Sequence, residues 1–90
     1  MNMFSRVESS LSLESLPNRQ PATVAGIDWA RLSVPEARRL RELGFDEGVG
    51  VEVLHRSIIG KGPIACRIGR MTVALRRTVA GAIHVSAHAA

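Results

Sequence analysis

Three histidines, His55, His84 and His88, and a single cysteine, Cys66, are the side chains of this sequence best suited to hold a metal or to act as nucleophile and base. Metal centres take such ligands at local spacing or from convergent geometry. His84 and His88 stand four apart, but the pattern around them is that of a strand and then a tail, not of a helix that would put both on one face. Asp28 and Asp46 are the only aspartates, and neither lies near a histidine in sequence. No serine or cysteine is accompanied by a base and an orienting third group, as nucleophilic catalysis requires. Gly60-Lys61-Gly62 reads as a turn and lacks the spacing of a phosphate-binding loop. The expectation is a protein with no catalytic residues, no cofactor and no resident metal. Direct sensing of a metal ion through His55 or His84 stays open as a rival.

The remaining candidates are basic or apolar. Arg38, Arg39 and Arg41 cluster together, Arg76 and Arg77 follow further on, and Lys61 is the only lysine. They read either as a solvated face, with pairs such as Arg38 to Glu42 at helical spacing, or as contacts for an acidic partner. Two adjacent branched residues, Ile58 and Ile59, sit in a glycine-bounded loop and cannot easily both be buried. The candidate partner-binding residues are therefore Arg38, Arg39, Arg41, Arg56, Ile58, Ile59 and Lys61.

These residues need elements to hold them. Ser33-Val34-Pro35-Glu36 opens a helix: Ser33 caps it, Glu36 stands three residues on, and Pro35 suits the first turn. Ala37, Leu40 and Leu43 recur at helical spacing, and Gly44 supplies a left-handed C-terminal cap. A helix from Pro35 to Leu43 is too short to be stable alone and must pack on another part of the chain.

The sheet is legible in pieces. Ala22 to Asp28 reads as a first strand with Val24 and Ala22 on one face, and Gly26 marks a bend. Trp29 to Leu32 is a connection. Val49, Val51 and Val53 alternate with Gly50, Glu52 and Leu54 in a second strand. Gly69-Arg70 has glycine where a type II′ turn requires it, which pairs Ile68 with Met71, Cys66 with Val73 and Ile64 with Leu75. All six are apolar, so that face is expected in the core. Arg67 with Thr72 and Ala65 with Ala74 take the other face, and a one-residue slip would destroy the division. Arg77 to Gly81 reads as one helical turn, and Ala82 to Ser86 as a last strand with Ile83 and Val85 inward.

Five short strands and one small helix within 90 residues point to a mainly β fold, a small closed SH3-like barrel. Residues 1–10 are read as a flexible tail and 11–90 as the single domain, with Leu11, Leu13 and Leu16 free to pack back onto it. Pro17 to Pro21 is turn material. Arg6, Glu8 and Glu14 interrupt any secretory signal, and no apolar run approaches the roughly 18–20 residues that span a bilayer. A lone cysteine fits a reducing compartment.

Net charge is +4, which permits an acidic or phosphate partner. A small basic barrel that binds nucleic acid is an alternative, weakened by aromatic content limited to Phe4, Trp29 and Phe45.

The run Arg39-Leu40-Arg41-Glu42-Leu43-Gly44-Phe45, then Gly48 and Val51-Glu52-Val53, resembles the ferrous iron transport protein A family, FeoA. So do Gly62-Pro63-Ile64, Val73-Ala74-Leu75-Arg76-Arg77, and Ala80 with Ile83 and Val85. The resemblance spans about Leu11 to Ser86. It implies an SH3-like barrel in the cytoplasm, recruited to the inner face of the membrane by a FeoB-type ferrous iron transporter with a GTP-binding domain. Nucleic acid is then no expected partner. The sequence departs from the family at Asp46-Glu47, where an aliphatic residue and proline are common, and in the Ile58-Ile59 loop, which lacks a proline. A related barrel ends iron-dependent repressors, but this chain has no room for their DNA-binding domain.

Overall fold

The computed structural model describes residues 11–57 and 62–87. Five strands, β1 (Ala22–Ile27), β2 (Gly50–Arg56), β3 (Ile64–Ile68), β4 (Met71–Leu75) and β5 (Ile83–Ala87), form one antiparallel sheet in the order β4-β3-β2-β1-β5. Helix α1 (Val34–Leu43) follows β1, after a 3-10 turn at Trp29–Arg31, and α2 (Arg77–Ala80) links β4 to β5.

Helix α1 begins and ends where its sequence requires. The Ser33 hydroxyl accepts from the Glu36 N–H at 3.2 Å, and the Glu36 carboxylate accepts from the Ser33 N–H at 2.9 Å. Both groups are donors that a helix N-terminus otherwise leaves unpaired. At the other end Gly44 sits at φ 98°, and Phe45 N–H closes on the Leu40 carbonyl at 3.0 Å. Leu40 and Phe45 are thereby driven into the core, while Arg38, Arg39, Arg41 and Glu42 stay exposed. Among the described residues no ion pair joins Arg38 to Glu42; the ion pairs run from Arg67 to Glu52 and from Arg77 to Glu14.

The β3–β4 hairpin has the register expected from its turn, from Ile68 opposite Met71 to Ile64 opposite Leu75. Gly69 lies at φ 60° with Arg70 outside the positive-φ region, as a type II′ turn demands. Burial follows the expected face on β3, where Ile64, Cys66 and Ile68 are all in the core. On β4 it holds only for Leu75: Val73 is half-buried and Met71 is 45% exposed. β4 is the edge strand, so its turn end has no further layer to pack against.

The expected closed barrel is corrected by the strand order. Closure would need β4 to pair with β5, and no such ladder exists among the described residues. The N-terminal segment occupies that place. Leu13 N–H donates to the Ile83 carbonyl at 2.8 Å and Val85 N–H to the Leu11 carbonyl at 2.9 Å, with Ser12 bridged to His84. This arm covers the outer edge of β5 and carries Leu13 and Leu16 to full burial in the core. The sheet is curved, by register shifts between Val24 and Gly26 and between Val53 and His55, but open. Among the described residues the outer edge of β4 is left without a partner strand.

Candidate docking surface

α1 presents two different faces beside the sheet. On one side Arg41 lies over Trp29, its guanidinium carbon 4.2 Å from the ring centroid. This cation–π contact covers the one tryptophan, so its ring face is not free for a stacking partner. On the other side α1 runs along a groove of about 450 Å³, lined by Pro35, Glu36, Arg39 and Leu40 from the helix, Ala74 from the end of β4, Arg76 just after it, and Val79 from α2. Its floor is apolar and two of its lining side chains are arginines. That size falls within the roughly 300–1000 Å³ of ordinary binding sites. Val34, 71% exposed, adds an apolar patch next to Arg38 at the start of the helix.

The other expected contacts fall differently. The Arg56 guanidinium is half-buried and held within the chain: it donates to the Glu14 carbonyl at 2.7 Å, to the Leu16 carbonyl and to the Asn18 side-chain oxygen. It therefore straps the N-terminal arm onto β2. Arg41 is likewise engaged with Trp29. Arg38 and Arg39 are exposed on α1. Ile58, Ile59 and Lys61 lie outside the described residues. Arg76, noted only as half of a basic pair, joins Arg39 at the groove; its position could not be read without knowing that β4 ends beside α1.

The candidate ligands are dispersed. Cys66 is wholly buried on β3, and burial pushes its thiol up to about 11, which makes it a small apolar core residue. His55 is exposed on β2, and His84 is half-buried on β5 with its Nδ1 unbonded among the described residues. No three His, Cys, Asp or Glu side chains converge there in a way that could hold a metal ion. No helix among the described residues is long and apolar enough to cross a membrane.

A search of curated proteins finds no match. Solved structures do match. The FeoA of Stenotrophomonas maltophilia complexed with zinc, a prokaryotic SH3 domain protein, is 32% identical over 84% of this chain and 89% of its own, with a TM-score of 0.73. The FeoA protein of Chlorobium tepidum is 28% identical over 88% of this chain and 71% of its own, with a TM-score of 0.76. A manganese-dependent transcriptional repressor in complex with manganese shares the fold at a TM-score of 0.76 and 26% identity, covering 87% of this chain but only 36% of the repressor. The FeoA domain family matches residues 11–87, a span running from the N-terminal arm through β5. The chain thus belongs to the FeoA family of small SH3-like accessory proteins of ferrous iron transport.

Proposed function

We propose that this chain is a docking module that acts from the cytoplasm on the GTP-binding region of a FeoB-type ferrous iron transporter. The observation that carries the reading is the groove between α1 and the end of β4, with an apolar floor and Arg39 and Arg76 in its lining. An apolar centre with arginines beside it is the composition of a protein-binding surface, since buried apolar anchors supply affinity and charges at the rim set orientation and on-rate. The solved FeoA relative from Stenotrophomonas maltophilia has been linked to activation of ferrous iron transport, which fits an accessory role for this chain as well. Arg38, Arg39 and Arg76 are the contacts proposed first. Ile58, Ile59 and Lys61 are proposed as a second contact on sequence grounds.

Isothermal titration of the full chain into the purified cytoplasmic region of the transporter tests this. Saturable binding in the micromolar range that weakens with Arg39→Glu is the expected result. Absence of heat at tens of micromolar overturns it.

A further inference from the structure

The bare edge of β4 and the groove beside it are continuous, because Ala74 belongs to both. In a hairpin closed by a two-residue turn, the pairs Ile68–Met71, Cys66–Val73 and Ile64–Leu75 exchange the ladder hydrogen bonds. The N–H and C=O groups of Thr72 and Ala74 therefore face outward. Neither residue makes a hydrogen bond beyond the ladder among the described residues, and both are exposed. Natural edge strands are usually blunted by charge, proline or a covering segment. The outer edge of β5 has such a cover in the N-terminal arm. β4, Met-Thr-Val-Ala-Leu, has no charge and no proline, and among the described residues no strand overlies its outer edge.

We propose that β4 accepts an extended acidic segment of a partner protein as an added strand, with an apolar side chain of that segment seated in the groove. Strand addition takes its affinity from main-chain bonds and its selectivity from side-chain pockets, and both are present side by side. The acidic character follows from Arg39 and Arg76 in the groove, which outnumber Glu36, whose carboxylate is held by the Ser33 N–H, together with Arg70 at the turn end of the strand and the net charge of +4. A second copy of this chain fits less well. Antiparallel pairing of two β4 strands about Val73 would put Arg70 of one opposite Arg76 of the other, and like charges directly opposed are destabilising. The inference rests on the docking reading only in taking the partner to be a protein.

A peptide probe separates the two. Unlabelled Glu-Val-Asp-Leu-Glu-Val-Asp is titrated into the 15N-labelled full chain and followed by amide chemical shifts. The expected result is saturable shifts centred on Thr72 and Ala74. Affinity should fall at least tenfold for the backbone N-methylated peptide, for the counterpart with lysine at every acidic position, and for Ala74→Pro, which removes an outward N–H without touching the β3 ladder. Retention of the folded spectrum qualifies each variant. Shifts centred elsewhere, none at millimolar peptide, or equal binding of the control peptides overturn the proposal. So does concentration-dependent dimerisation through β4, which would assign the edge to a second copy. Peptide silence alongside binding of the transporter region overturns strand addition and leaves docking standing.

Discussion

Arg56 on β2 donates to the main-chain carbonyl of Glu14 at 2.7 Å, closing a span of 42 residues. The same guanidinium reaches the Leu16 carbonyl and the Asn18 side chain. One planar cation thus satisfies acceptors where the N-terminal arm turns away from β5 and has no ladder of its own. Removing it strands those carbonyls in a half-buried site. Arg56→Met keeps most of the apolar stem and is expected to destabilise the domain by about 2–3 kcal/mol. That corresponds to a melting temperature lower by roughly 10–20 °C. Arg56→Lys keeps the charge but loses the fork, and should fall between the two. Thermal denaturation of the three proteins decides it: a methionine variant that melts with the parent rules out the strap.

The two caps of α1 give a second test. Ser33→Ala removes the hydroxyl that accepts from the Glu36 N–H, leaves the backbone N–H half of the exchange in place and should cost about 1 kcal/mol, whereas Ser33→Asp should restore most of it. Gly44 at φ 98° admits no β-carbon without strain, so Gly44→Ala should cost about 1–2 kcal/mol and Gly44→Asn less. Urea midpoints measure both. Because the helix forms one wall of the groove, each variant should also weaken partner binding more than it weakens the fold. Unchanged midpoints would mean that tertiary packing, not capping, sets the helix ends.

Met71 supplies a third. It is the large apolar side chain left exposed on β4, at the turn end of the bare edge. Met71→Lys adds the kind of charge that guards natural edges. It should leave stability within about 0.5 kcal/mol, as surface changes do. Urea unfolding of the parent and the variant measures this. A loss of several kcal/mol would place Met71 in the core after all.

What could be read from the sequence was local. The Ser33 and Gly44 caps and the Gly69 turn each act within five residues, so residue type alone sets the geometry, and the hairpin register follows from the turn. Closure of the barrel could not be read this way. It depends on which segment takes the outer edge of β5, and the competitor of β4 for that edge is Leu11–Leu13, seventy or more residues from its β5 partners in the chain. The polar, serine-rich composition around those leucines disguises a segment that buries Leu13 and Leu16 completely. The intrachain bonds of Arg56 were hidden for the same reason: two of its acceptors are main-chain carbonyls, which have no signature in sequence. The groove appears only once α1, β4 and α2 are set against each other.

Cys66 gives the last prediction, in alkaline solution. Burial raises its thiol from 9.0 to about 11, with desolvation of the thiolate as the cause. The unfolded chain ionises this thiol near its ordinary value, while the folded chain holds the proton until about pH 11. Between those values the unfolded state binds fewer protons, so stability falls as pH rises. The contribution is whole below pH 9 and is lost as pH climbs through the folded value, a change of about 2–3 kcal/mol at 1.36 kcal/mol per unit. Cys66→Ala removes the titrating group and leaves Lys61 and the terminal amine common to both proteins. The parent should therefore be the more stable at pH 8, and the gap between the two should close as pH approaches 11. Urea unfolding of both proteins across that series checks it. A gap that stays constant would show that the thiol ionises alike in both states, which a side chain with no exposed surface on the inner face of β3 should not allow.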